Sequence, residues 1–124
     1  MFCIKEENIM KKTNKILSLI LAVLMIISII PITASAAIPT SGTCGDNLTW
    51  NIDMETWTLT ISGTGDMYDY KTNNRPWEEF AEDVKTVVIN DGVTTIGKNA
   101  FRRLPELVHI EIGHDVTVIN EFAF

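Results

Sequence analysis

Cysteine, histidine and proline are scarce in this 124-residue chain, with two, two and four copies. Cys3 and Cys44 alone supply no disulfide framework. His109 and His114 stand five positions apart, without the Glu-His or paired-Cys spacings of a zinc site, and no serine or cysteine motif pairs a nucleophile with either of them. Basic residues are few as well: 10 Lys and Arg face 16 Asp and Glu, for a formal net charge of −6. Beyond the first fifteen residues their densest cluster is the pair Arg102-Arg103, too little to neutralise a phosphate backbone, so no nucleic-acid partner is expected. Glycine is similarly thin in useful patterns. Gly63-Thr64-Gly65 has neither the following Lys nor the third glycine of a nucleotide-binding loop. Asp66 and Asp69 lack the alternating acids of a calcium loop, and Glu78 and Glu79 are adjacent rather than opposed across a cleft. No cofactor and no catalysis are expected.

One long apolar run is present. Ile16 to Ile30, ILSLILAVLMIISII, follows Lys11, Lys12 and Lys15 and precedes Pro31 and the small residues Ala34-Ser35-Ala36. That layout reads as a secretory signal peptide over residues 1–36. Ile16 to Ile38 is long enough to span a bilayer if left uncleaved, but Pro31 interrupts it and the small side chains suit a signal peptidase. Membrane association is therefore expected only through an uncleaved leader. Glu6 and Glu7 weaken the basic start of MFCIKEENI, so translation is expected to begin at Met10, ahead of KKTNK. Cleavage removes Cys3 and leaves Cys44 without an internal partner, in a turn-like, partly buried Ser41-Gly42-Thr43-Cys44-Gly45 segment. The exported part is strongly acidic, which favours solubility.

After the leader the hydrophobic period becomes two. Leu48-Thr49-Trp50-Asn51-Ile52-Asp53 and Trp57-Thr58-Leu59-Thr60-Ile61-Ser62 flank a turn, Asp53-Met54-Glu55-Thr56, and read as a β-hairpin. Setting Ile52 opposite Trp57, Trp50 opposite Leu59 and Leu48 opposite Ile61 gathers six apolar residues on one face and Thr49, Asn51, Thr58 and Thr60 on the other. Residues 63–75 read as a polar surface loop. Pro76 to Val84 suits a short helix whose stripe of Trp77, Phe80 and Val84 covers the hairpin.

The strongest signal is internal repetition. Val84–Phe101 aligns with Leu107–Phe124 at an offset of 23 residues. Val84/Leu107, Val87/Ile110 and Ile89/Ile112 keep aliphatic character, while Val93/Val116, Thr94/Thr117, Ile96/Ile119, Ala100/Ala123 and Phe101/Phe124 are identical. A period in the low twenties marks solenoids whose turns each contribute one short strand and a return segment. The repeated positions are those that point inward, since stacked turns superimpose equivalent side chains.

The pattern Leu/Val-x-x-Val-x-Ile followed by Val-Thr-x-Ile-x-x-x-Ala-Phe resembles the BspA-type leucine-rich repeat of bacterial secreted and surface proteins. The segment Ser41 to Trp50, with Leu59 to Gly65 and Pro76-Trp77, is similar to the region that leads into such arrays. The resemblance covers residues 41–124, with Leu104 standing where those repeats commonly carry cysteine. It implies a non-catalytic scaffold for adhesion or protein binding at the cell surface.

The expected fold is thus mainly β: an N-terminal β-hairpin cap with a short helix at 37–83, leading into a leucine-rich-repeat solenoid of 23-residue turns at 84–124. The second turn is incomplete, and the chain is expected to be the N-terminal fragment of a longer protein. In strands Val84–Asn90 and Leu107–Gly113, Val87, Ile89, Ile110 and Ile112 face inward. Thr86, Val88, His109 and Glu111 then face outward, about 4.8 Å apart between turns, as the expected contacts for an extracellular protein or surface glycan. Two alternatives are an accessory region of a larger exported hydrolase and a carbohydrate-binding module using Trp50, Trp57 or Trp77.

Overall fold

The computed structural model describes residues 35–124, so the signal-peptide segment up to residue 34 and the Met10 start lie outside the described residues. Within them, no helix is long and apolar enough to cross a membrane. Ile38–Phe124 forms one compact unit. Its strands are β1 (Ser41–Thr43), β2 (Leu48–Asp53), β3 (Thr58–Gly63), β4 (Gly65–Asp66), β5 (Thr86–Ile89), β6 (Val93–Ile96), β7 (His109–Ile112) and β8 (Val118–Ile119).

Alternation builds the hairpin as expected: Leu48, Trp50 and Ile52 are buried between exposed Thr49, Asn51 and Asp53, and Leu59 and Ile61 are buried in β3. Its register differs by two residues. Ile52 lies opposite Leu59, Trp50 opposite Ile61 and Leu48 opposite Gly63. A shift of two leaves every side chain on its expected face, because the strand period is two. The cause is a longer turn, in which Asp53 Oδ1 accepts the Glu55 N–H at 2.9 Å and Trp57 adopts φ 54°. That left-handed conformation takes Trp57 out of the strand, and its carbonyl accepts the N–H groups of Lys85 and Thr86 at 2.9 and 3.3 Å.

Two sheets result. One has the order β1-β2-β3-β5-β7 and the other β4-β6-β8. Pairing is antiparallel from β1 to β3, then parallel from β3 to β5 and β5 to β7. Val87 sits beside Ile110, Ile89 beside Ile112 and Ile96 beside Ile119, at the 23-residue offset of the repeat. The hairpin is part of the same construction, since Leu59 and Ile61 lie beside Val87 and Ile89. Here the offset is 28, as in the Asn90–Ser62 side-chain bond, and the excursion Lys71–Arg75 takes up the difference. Residues 63–75 are likewise not all loop: Gly65 and Asp66 form β4 beside β6.

The expected helix at 76–84 is instead a single 3-10 turn, Glu78–Phe80, followed by a further turn. No side chain caps its start at Trp77. A lone short helix is costly to nucleate, and this segment is held by its neighbours instead. Trp77 Nε1 donates to the Ala100 carbonyl at 3.0 Å, and the buried Arg75 guanidinium donates to the Arg102 carbonyl and to both Glu78 oxygens. Trp77, Phe80 and Val84 are nonetheless all buried, as their spacing predicts.

At the centre, Trp77, Phe101 and Phe124 stack in sequence, with ring centroids 5.7 and 5.5 Å apart. Trp50 and Tyr70 meet Trp77 edge-on at 5.9 and 5.4 Å, so Trp77 covers the hairpin face. Ile89, Ile96 and Phe101 are 2%, 0% and 1% exposed. Their repeat equivalents Ile112, Ile119 and Phe124 are 45%, 53% and 44% exposed. Ile112 thus departs from its expected inward burial, because within the described residues β7 has a neighbouring strand on one side only.

Candidate binding surface

Because side chains alternate along every strand, packing one face of the five-stranded sheet leaves the other face outward in register. One row across it runs Asp53, Thr58, Thr86, His109. The next runs Ser41, Asn51, Thr60, Val88, Glu111. A third joins Thr43, Thr49 and Ser62, and Asn90 Nδ2 donates to Ser62 Oγ at 2.9 Å.

The four residues expected as contacts are therefore brought together, Thr86 beside His109 and Val88 beside Glu111. Thr86 and Val88 are half-buried, His109 and Glu111 exposed. His109 Nε2 lies 3.2 Å from Glu111 Oε1 along the same strand. What the repeat alignment did not reveal is that the hairpin's Asn51, Thr58, Thr60 and Ser62 extend this same surface. The signal was present as Leu59-x-Ile61 matching Val87-x-Ile89, hidden by its different offset.

The rows carry hydroxyls, amides, two carboxylates and one imidazole, and no Lys or Arg. Stiff β-branched threonines hold their hydroxyls in few rotamers, so little side-chain freedom is lost on contact. Backbone N–H of Glu55 and the Thr56 hydroxyl hold the Asp53 carboxyl below its ordinary range.

Acidic side chains elsewhere tie neighbouring rungs together. Asp66 Oδ1 accepts the Thr95 and Thr94 hydroxyls at 2.6 and 2.7 Å, which lowers its pKa. Asp69 Oδ1 accepts the Lys98 N–H at 2.7 Å and Asn120 Nδ2 at 3.0 Å. Asp91 Oδ1 accepts the His114 N–H at 2.7 Å, the main cause of its lowered pKa. Asp115 Oδ2 accepts the Gly92 N–H at 2.8 Å. Among the described residues, no three His, Cys, Asp or Glu side chains are grouped to hold a metal ion.

Cys44 is fully buried rather than partly so, and burial pushes its thiol up to about 12. The segment around it is more regular than a turn, since Ser41–Thr43 form β1. Trp50 and Trp77 are core residues, 3% and 0% exposed, while Trp57 is half-buried in its turn.

No family model matches the chain, and no curated protein matches it. Among solved structures, the crystal structure of a leucine-rich repeat protein from Eubacterium ventriosum is similar. It is 31% identical, with a TM-score of 0.62, over 69% of this chain and 24% of that one. The chain thus spans about a quarter of that protein's length. Parallel strands repeating every 23 residues, together with this likeness, give the chain a leucine-rich-repeat-type fold.

Proposed function

We propose that this chain is an exported, non-catalytic scaffold of the BspA-like kind, binding an extracellular protein or surface glycan. In this reading the stacked rungs are the start of a solenoid, and the hairpin is its N-terminal cap. The observation that carries the reading is the outward face of the five-stranded sheet. Its rows of small polar side chains are held in register by buried aliphatic ladders beneath. Such a surface offers many weak hydrogen bonds at low ordering cost, which suits recognition rather than bond-making. Its lack of Lys and Arg disfavours polyanionic ligands and favours neutral or basic ones.

Two measurements test this. N-terminal sequencing of the product recovered outside an expressing cell is expected to begin at Ala37, and an intact leader would overturn the export reading. The chain is then probed against arrays of extracellular-matrix proteins and neutral cell-wall polysaccharides. Thr86→Arg and Val88→Arg are expected to abolish any binding while leaving the far-ultraviolet circular dichroism unchanged. Binding that survives both substitutions would place recognition on another surface.

A further inference from the structure

Where β1 turns into β2 and β3 passes into β4, the two crossings are tied side by side. The Thr64 N–H donates to the Asn47 carbonyl at 3.1 Å, the Tyr68 N–H donates to the Cys44 carbonyl at 2.9 Å, and Gly45 bridges Met67. Between them lies a cavity of about 280 Å³ lined by Asp46, Asn47, Thr64, Gly65, Asp66 and Tyr68. Gly65 keeps it open, since a β-carbon built there meets no atom within 4 Å. All six residues precede the repeats, so further rungs stacked on β7 and β8 would leave the cavity as it is.

Its two carboxylates are each held at one oxygen. Tyr68 Oη donates to Asp46 Oδ1 at 2.7 Å, and the Thr94 and Thr95 hydroxyls donate to Asp66 Oδ1 at 2.7 and 2.6 Å. Among the described residues, the second oxygen of each carboxylate and the Asn47 side-chain amide have no protein partner. Tethering one oxygen aims the other before a ligand arrives, which lowers the ordering cost of binding. The two hydroxyl bonds also hold the Asp66 carboxyl below its ordinary range. No Lys or Arg lines the cavity, so its charge is negative. A calcium ion would need about six or more oxygens, and no three acidic or histidine side chains are grouped among the described residues. The remaining wall is the Tyr68 ring, 47% exposed, whose face attracts cations and supports apolar C–H surface.

We propose that this cavity binds one ring of an amino sugar, a hexosamine bearing a free ammonium group, within a glycan chain. The ammonium brings three N–H donors to the open Asp46 and Asp66 oxygens. The Asn47 amide and the Thr64 hydroxyl take the ring hydroxyls, and Tyr68 covers one face of the ring. The volume falls just below the roughly 300–1,000 Å³ of pockets for drug-sized ligands, which suits a single ring. A lysine side chain would satisfy the carboxylates but leave Asn47 and Thr64 without partners, so the lining favours the sugar over a basic peptide. The site is separate from the sheet surface around Thr86 and Val88 and does not depend on binding there.

The test titrates the full chain, isotope-labelled and recovered after export, with a glucosamine tetrasaccharide in buffer containing a chelator. Amide nuclear magnetic resonance shifts are expected at Asp46, Asn47, Thr64, Gly65 and Tyr68. The N-acetylated tetrasaccharide, which lacks the ammonium, is expected to bind about tenfold more weakly or worse. Asp46→Asn and Tyr68→Ala are each expected to weaken the glucosamine complex about tenfold, with an unchanged circular dichroism spectrum. Thr86→Arg is expected to leave it intact, whereas its loss in that variant would move recognition to the sheet surface and overturn the proposal. Equal affinity for the N-acetylated tetrasaccharide would overturn it too, as would trilysine binding as tightly as the glucosamine chain. So would the absence of shifts at these amides, or an affinity indifferent to both Asp46→Asn and Tyr68→Ala.

Discussion

Replacing Phe101 and Phe124 separately by alanine perturbs the same repeat position in two different environments. Phe101 is 1% exposed and stacked on both sides, 5.7 Å from Trp77 and 5.5 Å from Phe124. Phe124 is 44% exposed and stacks on Phe101. Truncating a fully buried phenylalanine costs about 3–5 kcal/mol, including the cavity left behind. At Phe124 roughly half the side chain is already in water and one stacked pair is lost, so about 1–2 kcal/mol is expected. Phe101→Leu retains most of the burial and removes two aromatic pairs, for about 1–3 kcal/mol. Urea denaturation followed by tryptophan fluorescence measures all three, because Trp77 reports directly on its stacking partner. In a domain of this size about 2–3 kcal/mol separates melting temperatures by roughly 10–20 °C. Equal losses at the two alanine variants, or losses below about 1 kcal/mol at Phe101, would refute the stacked-ladder reasoning.

Four further outcomes are expected. Gly97→Ala is destabilising by about 1–3 kcal/mol in the same urea assay, since a β-carbon there falls 1.9 Å from the Tyr68 carbonyl oxygen of the neighbouring rung. Arg75→Ala strips the Glu78 carboxylate and the Arg102 carbonyl of their donor and lowers stability by about 1–3 kcal/mol. The Cys44 thiol, held neutral by burial, reacts with a disulfide reagent at the rate of global unfolding, and rapid labelling of the native chain would contradict its placement. Asp66 and Asp91 both titrate below their unfolded values in the folded chain. Their contribution is therefore complete above the ordinary carboxylate range and is lost as pH falls through that range and below it. Asp66→Asn with Asp91→Asn is expected to flatten that acid-side loss of melting temperature.

The repeat was legible because its inward positions carry the same residues at a constant offset: Val93 and Val116, Ile96 and Ile119, Phe101 and Phe124. Burial is the common cause, since a ladder position admits few side chains. The rung that precedes them was not legible. Its aromatic step is filled by Trp77 after Pro76 instead of Phe after Ala, and Lys71–Arg75 breaks the period ahead of it. Strand β4 has no local signal at all. Gly65 and Asp66 are poor strand formers and are held by the Gly92 carbonyl and the Thr94 and Thr95 hydroxyls. Trp57 misled in the opposite sense, as an aromatic with strong strand preference that sits at positive φ in a turn. Helix and 3-10 turn share the i, i+3 spacing of Trp77 and Phe80, so the sequence marks the buried side chains there without marking the winding. On the binding surface, alternation placed Thr86, Val88, His109 and Glu111 outward, whereas the rows contributed by β2 and β3 depend on the parallel β3–β5 pairing, whose matching Leu59-x-Ile61 and Val87-x-Ile89 are hidden by an offset of 28 instead of 23.

Whether successive rungs superimpose equivalent side chains is open to direct measurement by methyl and aromatic nuclear Overhauser spectroscopy of the folded chain. Stacked rungs require cross-peaks linking Val87 to Ile110, Ile89 to Ile112, Ile96 to Ile119, and the Phe101 ring to the Phe124 ring. Strong contacts from these residues to partners at any other offset, with the four pairs silent, would contradict the architecture.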